Sequence, residues 1–160
     1  MATGRLLQPT VQQTRTEHDF VEHVRQTVKS DPQSQWIFVA DQLNTHQSES
    51  LVKWVAEHCG LTDDLGVKGK TGLLQSMQTR MHFLSDPTHR IRFVYTPKHA
   101  SWLNQIECWF SVISRHLLRR LCVTSTPLLR DLILKYIESY NRVLAKPFKW
   151  LYRGNTVTGN

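Results

Sequence analysis

Residues 36–41 read WIFVAD, five apolar residues in a row followed at once by an aspartate. An apolar run of this length, set between the polar stretches 31–35 (DPQSQ) and 42–50 (QLNTHQSES), reads as a β-strand buried on both faces. Asp41 ends the run abruptly. In open α/β sheets ligands bind beyond the carboxyl ends of the strands, so a carboxylate in this place is positioned for function. The same residue type also starts turns and caps helices, and at this point both readings stand.

Working outward, the N-terminal side begins with TGRLLQPTV (3–11), short and strand-like, with Pro9 arguing against a central, fully hydrogen-bonded position. Thr16 has the chemistry of an N-cap, followed by Glu17 and Asp19 in the first turn and by Phe20, Val21, Val24 and Val28 at helical spacing. Asp31-Pro32 should end that helix. On the C-terminal side, Ser48 to His58 forms a second helix with Leu51, Val52, Val55 and Ala56 inward and Gly60 closing it.

Residues 61–90 carry Gly66, Gly69 and Gly72, the composition of a mobile loop, and then a helix over 73–84 ending at Asp86-Pro87. RIRFVYTP (90–97) alternates and is rich in β-formers, a strand stopped by Pro97. From Trp102 to about Leu121 the set Ile106, Phe110, Ile113, Leu117 and Leu121 predicts a long amphipathic helix, and a further helix runs from Pro127 to Val143. The stretch FKWLYRGN (148–155) reads as an aromatic-rich strand or ordered coil. Helices alternating with strands give an α/β fold, its sheet covered on both faces.

The 160 residues suit one domain, and 40% hydrophobic with 21% charged residues is a globular mixture. Twenty Lys and Arg against thirteen Asp and Glu leave a net charge of +7. That balance favours a polyanionic partner, nucleic acid before a membrane surface, or marks a basic protein with no such partner. Cys59, Cys108 and Cys122 are odd in number, too far apart for a zinc pair, and set among apolar neighbours, as buried free thiols in a reducing cytosol would be. With no apolar leader and no run of about 18 apolar residues, the chain should be neither secreted nor membrane-spanning.

The second candidate acid is Glu107, inside PKHASWLNQIECWF (97–110) and flanked by Ile106, Cys108, Trp109 and Phe110. It belongs either to the solvent face of its helix or to a buried polar site. Two carboxylates, one from a strand end and one from a helix, can together hold Mg²⁺ or Mn²⁺.

FVADQLNTH (38–46) followed by YTPKHASWLNQIECWFSVISRHLLRR (95–120) resembles the signature of DDE transposases of the mariner-related bacterial insertion sequences, and LLRDLILKYIESYNRVLAKPFKW (128–150) resembles the continuation of the same domain. The resemblance covers roughly residues 3–154. It implies an RNase H-like mixed sheet flanked by helices, on which three acids bind two divalent metal ions, Mg²⁺ or Mn²⁺. Asp41 corresponds to the second acid and Glu107 to the third. The first acid lies on an earlier strand of the fold, and the chain begins in the last strand of the hairpin that follows it. Asp19 and Asp31 come too late to take its role. The interval from Asp41 to Glu107 is longer than the family pattern, and an insert at 61–90 accounts for the excess.

The resemblance thus makes residues 1–160 a partial transposase/integrase-like catalytic domain, lacking the first strands and exposing a sheet edge beside residues 3–11. Two dications repel unless a carboxylate bridges them, so DNA strand cleavage and strand transfer by this chain alone should be weak or absent. Asn44, His46 and Asn104 are candidates for supporting the site; for Asn44 and His46 the alternative is a polar turn feeding the next helix. Lys98, His99, Arg115, Arg119 and Arg120 either contact DNA phosphates or are solvated surface cations. Trp102 and Trp109 are assigned to the core. Expected partners are DNA, as transposon ends and target, and an upstream transposase fragment or a second copy of the chain, in the cytoplasm at the bacterial nucleoid. The alternative is a non-catalytic DNA-binding or dimerising remnant that modulates a complete transposase.

Overall fold

Helix α1 spans Glu17–Lys29 and starts as its sequence dictates. In this computed structural model, which describes residues 3–62, 64–97 and 104–147, the Asp19 N–H donates to the Thr16 hydroxyl at 3.3 Å while the Thr16 N–H donates to the Asp19 carboxylate at 2.7 Å. This reciprocal pair is a capping box, which satisfies two backbone donors that a helix start leaves open. Val21, Val24 and Val28 form its buried stripe. The helix stops two residues before Asp31, because a residue preceding proline is disfavoured in the helical region.

Strand β1 is Trp36–Ala40 and strand β2 is Ile91–Tyr95; they pair in parallel, with Trp36 opposite Ile91, Phe38 opposite Phe93 and Ala40 opposite Tyr95. Parallel neighbours need a long crossover. It is supplied here by helices α2 (Glu49–His58) and α3 (Met77–Leu84), joined through a 3-10 turn at Gly72–Leu74. Ser48 caps α2 through the Leu51 N–H, and Leu51, Val52, Val55 and Ala56 are buried as expected, with Trp54 added. Gly60 follows in the left-handed region at φ +67°.

Residues 61–90 are not a loose excursion from this core. Leu74 and Leu84 are almost wholly buried in it, alongside Phe83. The glycines expected to leave a mobile loop close a tight turn, in which Val67 N–H donates to Thr71 O at 3.1 Å and Leu74 N–H to Leu65 O at 3.0 Å. A Cβ on Gly66, at φ +77°, would lie 2.2 Å from Thr71 O, so only glycine fits there.

The expectation of a sheet covered on both faces is corrected. Trp36, Phe38, Ala40, Ile91 and Phe93 point into the core formed by α1, α2 and α3. On the opposite face Ile37 (54% exposed), Val39 (55%) and Val94 (46%) are open to solvent. The reason lies in the remaining helices. Helix α4 (Gln105–His116) and helix α5 (Thr126–Val143) spend their apolar faces on a second core of Trp109, Ile113, Ile137 and Tyr140. Trp109 meets Tyr140 edge-on, ring centroids 6.4 Å apart at 82°.

Residues 3–11 are likewise not a strand. Gly4 (φ +67°) and Gln8 (φ +47°) turn the chain out of the extended region, and Leu6 docks on the second core. The α4 helix is shorter than its apolar pattern: it ends at His116 with Leu117 as its C-cap, and Leu118–Arg120 is a 3-10 turn. Phe110 (51% exposed), expected on the apolar face of its helix, lies outside, whereas Trp109 is buried as assigned. Cys59, Cys108 and Cys122 are free as expected, but Cys108 and Cys122 are exposed, which corrects the expectation of buried thiols. Residues 98–103, with Lys98, His99 and Trp102, and the stretch 148–155 lie outside the described residues.

Candidate active site

Asp41 leaves β1 at its carboxyl end, beside the end of β2, where the Thr96 N–H donates to Ala40 O at 2.9 Å and Gln42 Nε2 donates to Thr96 O at 2.9 Å. These two bonds tie the strand ends together just where the aspartate emerges. The chain then enters a 3-10 turn, Asn44–Gln47, which folds His46 back so that its Nδ1 lies 2.6 Å from Asp41 Oδ1. A carboxylate only accepts, so Nδ1 carries the proton in this contact. The same oxygen also accepts from the Leu43 N–H at 3.3 Å. Asp41 Oδ2 receives no donor among the described residues and keeps its lone pairs, while the side chain is 31% exposed.

His46 is itself fixed from two sides. Its ring packs against Phe20 of α1 with centroids 4.2 Å apart, and its carbonyl accepts from the Tyr95 hydroxyl of β2 at 2.7 Å. Burial pushes the Tyr95 hydroxyl well above the ordinary tyrosine value, so it stays protonated as a donor. Three elements thus converge on one aspartate orientation. Tyr95, Gln42 and Phe20 were not picked out from the sequence as parts of this site. The available signal was register: in a parallel pair, the last residue of RIRFVY falls beside the last apolar residue of WIFVA.

Asn44 is exposed at the start of the 3-10 turn and borders a cavity of about 300 Å³ together with Glu17, Glu49, Lys68 and Arg80. Arg80 was also missed. It is buried at 8% exposure and donates through Nε to Gln47 O at 2.7 Å and through Nη1 to Leu74 O at 3.1 Å, bracing the turn that carries His46. The Lys53 ammonium, bonded to Glu49 at 2.6 Å, holds that carboxyl below its usual range.

Glu107 sits in the first turn of α4 and is exposed. A carboxylate there is favoured by the positive end of the helix dipole. Asn104 acts as the N-cap, its Oδ1 accepting from the Ile106 N–H at 3.3 Å. Arg115, Arg119 and Arg120 are all exposed, with Arg115 Nε donating to Ser111 O at 3.1 Å. The structure brings Asp41 and His46 together; Glu107 and Arg115 lie on α4, and Arg119 and Arg120 on the 3-10 turn that follows it.

Hard oxygen ligands suit divalent ions such as Mg²⁺ and Mn²⁺, and the free Asp41 Oδ2 is one such ligand, held by its neighbours. Among the described residues, however, no three His, Cys, Asp or Glu side chains converge to enclose a metal ion. The residues present fit one corner of a metal centre rather than a closed one.

A family model described as DDE superfamily endonuclease matches residues 1–128. The chain belongs to that family. No curated protein and no solved structure matches the chain. The match takes in Asp41, His46 and Glu107 of this DDE endonuclease chain, and ends within the first turn of α5, at the first residue of the 128–150 block that carried part of the resemblance. Members of the DDE endonuclease family act on DNA and generally use divalent metal ions. Among the described residues of this DDE endonuclease chain, no helix is long and apolar enough to cross a membrane.

Proposed function

We propose that these residues are part of the RNase H-like catalytic domain of a transposase from the mariner-related bacterial insertion sequences, with Asp41 as its second metal-binding acid and Glu107 as its third. The observation that carries the reading is the Asp41 arrangement: a carboxylate at the carboxyl end of a parallel strand, one oxygen locked by His46 and Leu43, the other left for a hard cation. A bound pair of Mg²⁺ or Mn²⁺ ions would activate the attacking water or 3′-hydroxyl and stabilise the departing oxygen. The chain's own part is orientation. His46 donates to Oδ1 and keeps the carboxylate from rotating, the Tyr95 hydroxyl holds the His46 backbone, and Asn104 fixes the start of the helix that carries Glu107. Exposed Arg115, Arg119 and Arg120 follow on the same segment as phosphate contacts for transposon ends and target DNA. In this reading Asp41 and Glu107 supply two of the three metal-binding acids of the family, and the DNA they act on is held along the same segment.

Mn²⁺ titration calorimetry tests this together with a nicking assay on terminal-repeat duplex. The expected result is Mn²⁺ binding that weakens by at least about tenfold in Asp41→Asn and again in Glu107→Gln, the size associated with losing one support of a metal site. Robust nicking by the isolated chain, abolished in Asp41→Asn, would overturn the expected weakness but not the acid assignment. The exposed setting of Glu107 and the absence of a three-ligand cluster among the described residues favour a second reading, a DNA-binding or dimerising remnant. Mn²⁺ affinity indifferent to both substitutions, with duplex binding retained, decides for it.

A further inference from the structure

At the end of the sheet opposite Asp41, about 16 Å away along five strand residues, lies a cavity of about 280 Å³. Arg25 and Lys29 reach it from the last turns of α1, His58 from the end of α2 and Arg90 from the residue before β2, with Trp54 and Pro32 completing its wall. Among the described residues no carboxylate lines it. Its arginine and lysine charges come from two places, α1 and the residue before β2, and they differ in role. Arg90 is a brace: Nη1 donates to Pro32 O at 2.7 Å and Ser34 O at 3.2 Å, and Nη2 to His58 O at 3.2 Å. These partners are neutral carbonyls, so its charge is held in place without being neutralised. His58 stacks on Trp54, ring centroids 4.3 Å apart, and is tied by Nδ1 to Trp54 O at 2.9 Å, which makes a stiff aromatic wall.

Arg25 and Lys29 are the adaptable members. Lys29 forms no ion pair among the described residues, and Arg25 meets only Glu22 at 3.6 Å, both side chains 44% exposed. A pair that open to solvent contributes little and yields readily to a stronger anion. The carbonyl ends of α1 and α2 face this region and would repel an anion in the absence of the cations. A fixed Arg90 over those carbonyls, with two mobile cations at the rim, reverses that balance.

We infer that this cavity is a second nucleic-acid contact, which seats a backbone phosphate of duplex DNA between Arg25, Lys29 and Arg90, remote from Asp41. The inference rests on the DNA-acting family reading, not on the assignment of the acids. It leaves sequence unread, since phosphate contacts position a duplex without specifying it.

The test is duplex binding by fluorescence anisotropy, as a function of salt, for the chain and for the double variant Arg25→Ala with Lys29→Ala. Both residues are exposed, and retention of fold is checked by circular dichroism. A second double variant, Lys53→Ala with Lys70→Ala, removes the same charge from residues that do not border the cavity. The expected result is weaker binding for the first variant on any sequence, with the slope of log K against log salt shallower by about one per lost phosphate contact, and little change for the second. Equal losses in both variants reduce the effect to net charge and overturn the site. A chain that binds no duplex overturns both this inference and the family-based reading, whereas binding unaffected by Arg25→Ala with Lys29→Ala overturns this inference alone. Inorganic phosphate at matched ionic strength separates the sources. Thermal stabilisation by phosphate that the first variant abolishes, without any change in duplex affinity, assigns the cavity to free phosphate and overturns the DNA contact.

Discussion

Asn141 does for residues 3–11 what a neighbouring strand does inside a sheet. Its Oδ1 accepts from the Leu6 N–H and its Nδ2 donates to the Leu6 carbonyl, both at 2.8 Å, so one side-chain amide satisfies both backbone groups of a residue 135 positions away. Gly4 permits the approach, because a Cβ there would stand 1.9 Å from Lys146 O. Asn141→Ala should therefore cost about 1–3 kcal/mol, the penalty of leaving part-buried backbone groups unpaired. It should also strip the Leu6 amide of protection; hydrogen exchange and a urea melt check the two effects, and an unchanged exchange rate at Leu6 would refute the tether. Asp41 was legible from the sequence because an acid directly after an apolar run is conspicuous. Its partner was less so: His46 stands five residues on, and only the 3-10 turn brings its Nδ1 back to the carboxylate.

Helix α1 is the element on which sequence and structure agree most closely. Its start depends on Thr16 and Asp19, three residues apart in the chain, so the capping box needs no tertiary partner to be read. Thr16→Ala removes the acceptor for the Asp19 N–H and should destabilise the protein by about 1 kcal/mol, measurable as a lowered urea midpoint with an unchanged slope. No change in midpoint would mean that the helix start is held by packing instead. Helix α4 is the opposite case. Its apolar residues exceed what one stripe can hold, and periodicity alone chose Phe110 for the interior. Packing kept Trp109, already assigned to the core, facing α5 and Tyr140, and left Phe110 exposed.

Across the whole molecule, apolar surface is divided between two cores, one around the sheet with α1, α2 and α3 and one between α4 and α5. His23 on α1 shows how burial couples this arrangement to pH. Burial holds its imidazole below the ordinary value of 6.5, with a hydrogen bond to the Gln8 backbone opposing the shift in part. The folded protein therefore resists protonating His23, while the unfolded chain takes up that proton near its ordinary value. The associated stability is complete above about pH 6.5 and declines as pH falls below it, levelling off once the lower folded value is passed. Urea midpoints measured from pH 8 to pH 5 should fall for the native sequence and fall less for His23→Phe. Parallel profiles for the two would show that another group governs the acid limb.

The sequence by itself determined the helices α1, α2 and α5 and the strands β1 and β2, though not residues 3–11 or the end of α4, since capping pairs, apolar spacing and proline stops act within a few residues of one another. It also pointed to a strand-end aspartate and to a basic surface, and its motifs anticipated the family. Tertiary structure alone decided which faces those elements cover. The run WIFVA looks the same whether one or two layers pack on it, and the choice went to one layer because α4 and α5 bury their apolar faces against each other. Tertiary structure alone also drew Tyr95, Phe20 and Arg80 around the His46 turn, for contacts between residues tens of positions apart leave no local pattern in the chain.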